Sequence, residues 1–134
     1  PPLVTSLQTR LFQGCKFDFI DIPEGVTTIG EYAFACKATR IALPKSLRSI
    51  EGLGLWDELQ TIYYKGAEYD WENVDFSEKA QPVTDKAGNI IREFSVKSII
   101  DRITDAGELY YYSETEPTKS GNFWHYSDGE PVAW

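Results

Sequence analysis

The only histidine of this sequence, His125, is the residue type best suited to acid–base or metal chemistry. A Ser-His-Asp triad or a histidine-based metal site therefore lacks parts unless another chain supplies them. Because His125 lies inside a predicted strand, we expect a hydrogen-bonded structural residue rather than a catalytic base. We expect neither a bound metal nor a cofactor.

The acidic residues are numerous, with 21 Asp and Glu, but their spacing singles out no catalytic pair. Glycoside hydrolysis needs two carboxylates at a set separation, and nothing in the sequence marks two of them. Asp18, Asp21 and Glu24 alternate with apolar residues, a pattern typical of a solvated rim, with a calcium site as the alternative. We therefore expect that the protein is not an enzyme.

The two cysteines, Cys15 and Cys36, are 21 positions apart, which matches the repeat period described below. Equivalent side chains in stacked repeats point in the same direction rather than at each other, which disfavours a disulfide. Cysteine is also a small apolar residue that is readily buried. The sequence favours reduced, structural cysteines, with a disulfide as the alternative.

The chain has 134 residues, a formal net charge of −8 and 42% hydrophobic residues. The negative charge repels phosphate backbones and anionic lipid headgroups, so neither nucleic acid nor a membrane surface is an expected partner. The apolar content is sufficient for a packed core, and no apolar run reaches the roughly 18 residues of a membrane span. Since no charged and apolar leader precedes Pro1, we expect a mature or excised piece of a longer protein.

A repeat with a period of 21 to 22 residues organises the first part of the chain. Two features recur in phase with each other. The first is an apolar triplet, present as Ile20-Asp21-Ile22, Ile41-Ala42-Leu43 and Ile62-Tyr63-Tyr64. The second is a loop, present as Val4-Thr5-Ser6-Leu7, Val26-Thr27-Thr28-Ile29 and Leu47-Arg48-Ser49-Ile50. Self-similarity at such a period predicts a solenoid of stacked repeats.

Each triplet has the two-residue period of a β-strand, so its outer residues face one side and its middle residue faces the other. Proline follows the first two triplets and ends the strand, because it has no N–H to donate. Stacking at about 4.8 Å then pairs the triplets as a parallel sheet with internal ladders. The expected ladders are Ile20/Ile41/Ile62, Ile22/Leu43/Tyr64, Val26/Leu47, Leu7/Ile29/Ile50 and Phe12/Phe34/Leu55.

The second repeat carries a resemblance to a known family. Its string Ile22-Pro23-Glu24-Gly25-Val26-Thr27-Thr28-Ile29-Gly30-Glu31-Tyr32-Ala33-Phe34 resembles the IPxxVTxIGxxAF core of the BspA-type leucine-rich repeat. The third repeat departs from that core, with Gly54-Leu55 in place of Ala-Phe. Residues 59–66 are similar to the closing segment of such arrays, and residues 110–134 to the tail that follows them in gut Firmicutes. The resemblance implies a leucine-rich-repeat solenoid in a secreted or cell-surface protein that adheres to host or microbial partners.

We expect about three coils over residues 1–74, followed by a small α/β or β-hairpin C-terminal cap over residues 75–134. Residues 82–94 predict a hairpin around Gly88-Asn89. Ser95 is a good N-cap and Gly107 stands where a helix would end, which predicts a helix over 96–106. The apolar residues of this helix need a partner, and the open end of the solenoid is one candidate: Val96, Ile99, Ile100 and Ile103.

The last stretch predicts three strands, over Leu109–Ser113, Asn122–Tyr126 and Pro131–Trp134, with a turn at Asp128-Gly129. Their aromatic residues can form either a cap or a platform for ligands such as sugars or cell wall: Tyr110, Tyr112, Trp124, Tyr126 and Trp134. Solenoids expose an apolar cross-section that needs a cap, which favours the first interpretation. We expect the face that carries Trp124 and Tyr126 to be the buried one, since it has the larger apolar area.

The outward positions of the predicted sheet form the columns Phe19/Arg40/Thr61 and Asp21/Ala42/Tyr63. Repeat proteins bind partners on such surfaces, so the candidate binding residues are Phe19, Asp21, Arg40 and Tyr63. Because the columns mix aromatic, basic, acidic and small residues, they imply no uniform ligand charge. The function we expect is interaction with an unknown protein or glycan partner, with carbohydrate or cell-wall binding by the aromatic tail as the alternative.

Overall fold

The computed structural model describes residues 6–7, 18–30, 38–51 and 58–134. The strands of the repeats are β1 (Ser6–Leu7), β2 (Phe19–Asp21), β3 (Thr28–Ile29), β4 (Arg40–Leu43), β5 (Ser49–Ile50) and β6 (Thr61–Tyr64). The later elements are α1 (Glu68–Trp71), β7 (Asp75–Phe76), β8 (Gln81–Thr84), β9 (Ile90–Phe94), α2 (Val96–Asp105), β10 (Leu109–Tyr112), β11 (Phe123–Ser127) and β12 (Glu130–Ala133). Within these ranges the strands form three sheets.

The largest sheet has six strands in the order β12-β11-β10-β6-β4-β2. Its strands run parallel, except that β12 is antiparallel to β11. Ile20 pairs with Ile41 and Ile41 with Ile62, which confirms the predicted ladder. Leu43 pairs with Tyr64, and both side chains are buried. This parallel stacking at the period of the repeat is the arrangement of a solenoid.

A second sheet, in the order β1-β3-β5-β7, consists of two-residue strands. Leu7 pairs with Ile29 and Ile29 with Ile50, as the predicted ladder requires. Strand β7 adds Phe76 beside Ile50. Ile29 and Ile50 are buried in the same core as the ladders of the largest sheet. The predicted Phe12/Phe34/Leu55 ladder and both cysteines, Cys15 and Cys36, lie outside the described residues.

The number of residues in the sequence between neighbouring strands of the largest sheet increases after β6. In the repeats, register partners on adjacent strands are 21 positions apart in the sequence. Thr61 instead donates to the carboxylate of Glu108, which is 47 positions further along the chain. Leu109 consequently pairs with Ile62 and continues its ladder. The intervening chain contains α1, β7, the β8–β9 hairpin and α2.

Helix α2 confirms the helix predicted over residues 96–106. Ser95 is its N-cap, because the Ser95 Oγ accepts from the Ser98 N–H at 3.1 Å and the Ser98 Oγ accepts from the Ser95 N–H at 2.7 Å. Gly107 follows the helix with a φ of 73°, in the left-handed region that glycine adopts without strain. The apolar side chains of the helix enter the main core: Val96, Ile99, Ile100 and Ile103.

Two hairpins also form where the sequence predicts them. Strands β8 and β9 pair around a loop in which the Asp85 carboxylate accepts from the N–H groups of Ala87 and Asn89, each at 2.9 Å. Strands β11 and β12 pair around Asp128 and Gly129, whose φ angles are 51° and 79°. Two successive positive φ angles are typical of a type I′ turn, which suits the twist of a two-residue hairpin.

The main hydrophobic core is continuous along the chain. Ile62 and Tyr64 of the repeats are buried in one cluster with Trp71, Ile103 and Leu109 of the later elements. The division into residues 1–74 and 75–134 stays a prediction, and side chains from both ranges pack together.

Candidate binding face

The positions predicted to point outward from the repeats lie in register on one face of the largest sheet. The strand pairing reproduces both predicted columns, Phe19/Arg40/Thr61 and Asp21/Ala42/Tyr63. Tyr110 of β10 pairs with Tyr63 and extends the second column by one strand. Because side chains alternate along a strand, this face is opposite to the one that carries the Ile41 and Ile62 ladder.

The centre of this face is buried, which corrects the expectation of an open outward surface at Tyr63. Ala42 is fully buried, and Tyr63 is only 8% exposed. Both form a second, smaller core with Trp124, against which Phe19 and Tyr110 pack. The expectation failed because β11, the strand that carries Trp124, joins the same sheet two places from β6.

Trp124 fills this second core and is fixed there by polar and aromatic contacts. Its indole N–H donates to the carbonyl oxygen of Tyr64 at 2.7 Å. Its ring centroid lies 5.3 Å from that of Tyr63, 5.3 Å from that of Tyr112 and 4.9 Å from that of Tyr126. Trp124 is therefore buried, as expected, whereas Tyr126 on the same face of β11 keeps 37% of its surface exposed.

A contact between Tyr126 and Asp21 requires the sheet to curl. The Tyr126 hydroxyl donates to Asp21 Oδ2 at 2.6 Å. Their strands, β11 and β2, stand four places apart, a separation of about 19 Å in a flat sheet. The sheet must therefore bend around Trp124, and we call the inner side of the bend the concave face. Its members are Phe19, Asp21, Arg40, Tyr63, Tyr110, Tyr112, Trp124 and Tyr126.

The charged side chains of the concave face have partners within the fold. Lys65 Nζ donates to Asp21 Oδ1 at 2.6 Å and to a backbone carbonyl at 2.7 Å. The Arg40 guanidinium lies 3.7 Å from Asp18 Oδ2, and its carbon is 5.3 Å from the ring centroid of Phe19. Asp21 thus accepts hydrogen bonds from one ammonium group and one phenol, which holds β2 and β11 together.

Burial raises the pKa of two tyrosines on this face, Tyr126 and Tyr110. For Tyr126, burial and then the hydrogen bond to Asp21 raise the pKa well above its ordinary value. For Tyr110, burial and then the charge of Glu108 raise the pKa. Both hydroxyls therefore stay protonated at neutral pH, and that of Tyr126 donates to Asp21.

The side chains around the edge of the concave face remain accessible, and we call them the rim. They are Phe19, Arg40 and Tyr110, which are half-buried, and Tyr112 and Tyr126, which are each 37% exposed. The four aromatic rings contact the buried Tyr63 or Trp124, with centroids 4.9 to 6.3 Å apart. The rim is consequently a set of partly exposed rings held in place by a buried layer.

Comparison with known protein families accounts for the repeats. A family model described as BspA type Leucine rich repeat region (6 copies) matches residues 1–62. Those residues belong to the BspA-type leucine-rich repeat family. No curated protein and no solved structure gives a significant match to the chain.

The BspA-type repeats end inside β6, so they supply only part of the concave face. Phe19, Arg40 and Asp21 come from the repeats. The strands that complete the face, β10 and β11, follow the matched residues and contribute Tyr110, Tyr112, Trp124 and Tyr126. The two groups of candidate residues that the sequence indicated separately are therefore brought together on one face.

Lys65 contacts the concave face through Asp21, and sequence analysis missed it. In two BspA-type repeats the residue after the strand triplet is a proline, Pro23 or Pro44. Lys65 occupies the same position after β6 and directs its ammonium group to Asp21. The replacement of proline by lysine in this column is the signal that could have found it.

Trp134, the remaining aromatic candidate, does not contribute to the concave face. Its ring stacks on His125, with centroids 3.8 Å apart and planes inclined by 16°. Its indole N–H donates to the carbonyl oxygen of Ser113 at 2.8 Å. His125 is thus held by stacking, and its ring makes no hydrogen bond to another described residue, unlike the hydrogen-bonded histidine we expected.

Asp18, Asp21 and Glu24, the three acidic residues that the sequence predicts to be solvated, are exposed, and each accepts hydrogen bonds from other parts of the fold. Glu24 accepts from the backbone N–H of Lys45 at 2.8 Å, and Asp18 accepts from the Thr39 hydroxyl at 2.9 Å. In the described ranges, no group of three or more His, Cys, Asp or Glu side chains could hold a metal ion. None of the described helices has the length and apolar character needed to cross a membrane.

Proposed function

We propose that this chain is a non-enzymatic interaction module of a secreted or cell-surface protein, and that the rim of the concave face binds a protein partner. BspA-type repeats are typical of surface and secreted proteins, which supports this role for the module. Adhesion to a host or microbial surface is the form of interaction that we propose.

The observation that carries this proposal is that the rim has residue types typical of interfaces and that buried residues hold their rings in place. The residues that dominate binding energy at protein interfaces are enriched in tyrosine, tryptophan and arginine. The rim presents Arg40, Tyr112 and Tyr126 in this way. Their neighbour Trp124 is fully buried, so the rings on it are held before a partner arrives and lose little conformational entropy on binding.

The charges at the rim also support a protein partner. Asp18 is paired with the rim residue Arg40, and Asp21, which lies beside the rim, is bonded to Lys65, so the surface at the rim carries no uniform field. The whole chain has a net charge of −8, which repels polyanions such as nucleic acid. A protein surface with its own mixture of apolar and polar groups suits such a rim.

Carbohydrate or cell-wall binding is the second candidate function for the same rim. The rings of Tyr112 and Tyr126 lie 6.5 Å apart between centroids, and both are partly exposed. Neighbouring aromatic rings of this kind can also stack on the faces of sugars. The two candidate functions therefore share residues, and the nature of the surface that is bound distinguishes them.

Binding of the labelled chain to intact epithelial and bacterial cells separates these functions when only the binding through the rim is counted, which is the difference between the unchanged chain and its Tyr112→Ser variant. The cells are treated beforehand either with protease or with periodate, which cleaves the vicinal diols of sugars. We expect protease treatment to abolish binding and periodate treatment to leave it intact. Binding that survives protease but is lost after periodate would contradict a protein partner and favour the carbohydrate function.

A matched pair of variants tests whether the rim is the surface involved. Tyr112→Ser removes a rim ring, and Tyr69→Ser removes a ring of α1 that is 67% exposed and lies outside the concave face. We expect Tyr112→Ser to weaken cell binding by at least about tenfold, as loss of a central interface residue does. Tyr69→Ser should bind like the unchanged chain. Equal binding by both variants, with unchanged melting temperatures, would contradict the assignment of the rim.

A further inference from the structure

A separate cleft of about 390 Å³ lies beneath β10 and β11. Tyr111 and Phe123 are register partners on these strands, so their side chains emerge next to each other. They alternate with Tyr112 and Trp124 and therefore face away from the concave face. The cleft is lined by these two rings together with polar residues that include Glu68, Lys119 and Asn122.

The Phe123 ring forms one wall of this cleft, and neighbouring residues of its loop determine where the ring lies. Gly121 has a φ of 145°, and a Cβ at that position would lie 2.8 Å from the Phe123 ring, so only glycine lets the ring approach the backbone so closely. The Lys119 ammonium lies 5.7 Å from the centroid of the same ring. The Asn122 side chain donates to the carbonyl oxygen of Gly107 at 2.9 Å, which ties this loop to the end of α2.

The lining of the cleft includes one negatively charged and one positively charged side chain, so these charges cancel. Glu68 supplies a carboxylate and Lys119 an ammonium, and neither is ion-paired with another described residue. Because its amide nitrogen is used by Gly107, Asn122 leaves its carbonyl oxygen as an acceptor. Burial, followed by the charges of Glu68 and Glu72, raises the pKa of Tyr111, so its hydroxyl is a donor at neutral pH.

We propose that this cleft binds one pyranose unit of a glycan. A pyranose is neutral, has apolar C–H faces and carries hydroxyl groups around its edge. Its faces would pack against Tyr111 and Phe123, whose ring faces are electronegative, and its hydroxyls would bond to Glu68, Lys119 and Asn122. The volume lies within the range of small-molecule sites, and the mixture of apolar walls with a few convergent polar groups is typical of them.

This site goes beyond the proposed function, because none of its residues belongs to the concave face. Loss of protein binding through the rim and loss of sugar binding through the cleft are therefore separable outcomes. A pyranose can come from a host glycan or from a bacterial cell wall. The chemistry recognised is the same, and the sugars chosen for the test distinguish the two sources.

Saturation-transfer NMR on the full chain tests the proposal. The probes are the methyl glycosides of glucose, galactose and N-acetylglucosamine, with a muramyl glycoside as the sugar that only bacterial walls supply. We expect transfer to the ring C–H protons of at least one probe. Phe123→Ala should abolish this transfer, whereas Tyr112→Ser should leave it unchanged.

A second set of variants keeps the proposal testable if Phe123→Ala does not fold. Glu68→Gln and Lys119→Gln alter exposed side chains, and each should weaken sugar binding by about tenfold without changing the melting temperature. Glu72→Gln, an exposed carboxylate that does not line the cleft, is the matched control and should bind normally. The proposal is overturned if no probe receives transfer, or if Tyr112→Ser removes the transfer while Glu68→Gln and Lys119→Gln leave it intact.

Discussion

Tyr126 and Asp21, which are 105 positions apart in the chain, share a hydrogen bond of 2.6 Å across the concave face. The bond joins a BspA-type repeat to the strand that follows helix α2 by two elements. Lys65 contacts the other oxygen of the same carboxylate. This cluster marks the place where the largest sheet curls and where the two groups of candidate binding residues meet.

A double-mutant cycle measures the strength of this bond. Tyr126→Phe should lower the free energy of unfolding by about 1 kcal/mol, because a partly exposed hydrogen bond to a charged group is lost. In an Asp21→Ala background the same substitution should have almost no further effect, which gives a coupling of at least about 0.5 kcal/mol. Urea unfolding is the measurement, with Tyr69→Phe as a control expected to stay within about 0.5 kcal/mol. Strictly additive effects of the two substitutions would contradict the bond.

The repeat register is tested at Ile29, which is fully buried and pairs with Ile50 in the second sheet. Ile29→Asp should unfold the repeats, because it places an unpaired charge in the core. Ile29→Val keeps the shape and should lower the free energy of unfolding by only about 0.5–1.5 kcal/mol. Thermal unfolding followed by circular dichroism distinguishes the variants. A normal melting curve for Ile29→Asp would show that the register is wrong.

Tyr64 is expected to respond in the opposite way to Tyr126 when its hydroxyl is removed. Its hydroxyl is buried and has no hydrogen-bond partner among the described residues. An unsatisfied buried donor destabilises the fold, so Tyr64→Phe should raise the free energy of unfolding by up to about 1 kcal/mol. Tyr126→Phe removes a bonded hydroxyl and should lower it. Urea unfolding of the two variants in parallel tests the contrast, and destabilisation by both would contradict it.

The raised pKa of Tyr64 leads us to expect a loss of stability at alkaline pH. Burial, followed by the charge of Asp70, raises the pKa of Tyr64 from 10.0 to about 12. Because the folded state holds the proton more tightly than the unfolded state, this contribution is fully present below pH 10 and is lost as the pH rises from 10 to 12. We expect the free energy of unfolding to fall across that interval, and to fall less steeply in Tyr64→Phe. Identical slopes for the two proteins would rule out this role of Tyr64.

The repeat core could be predicted from sequence because its determinants are local and periodic. Ile20, Ile41 and Ile62 recur at equal spacing, and parallel stacking follows from that spacing alone. Helix α2 and both hairpins could be predicted for a similar reason, since Ser95, Gly107 and Gly129 act on their own neighbourhoods.

The concave face could not be predicted in full, because it depends on contacts between distant segments. Leu109 continues the ladder of Ile62 only after a long insertion, so the period no longer identifies it. The curl that brings Tyr126 to Asp21 follows from the pairing of β11 with β10, which no local pattern specifies. The face that sequence patterns assigned to solvent therefore became a second core around Trp124.

Trp124 of β11 and Trp134 at the end of the chain provide the most direct test of this second core. The indole N–H of Trp124 donates to the Tyr64 carbonyl at 2.7 Å, and that of Trp134 to the Ser113 carbonyl at 2.8 Å. Their hydrogen bonds are alike, but Trp124 is fully buried and Trp134 is 46% exposed.

Hydrogen–deuterium exchange of these two indole N–H groups, followed by NMR, separates burial from hydrogen bonding. If the C-terminal strands close over the repeat sheet, the Trp124 indole exchanges only when the fold opens, as slowly as the backbone amides of the core. The Trp134 indole then exchanges much faster in the same sample. Equal and rapid exchange of both indoles would contradict the central claim that the BspA-type repeats and the aromatic strands pack together in the second core around Trp124.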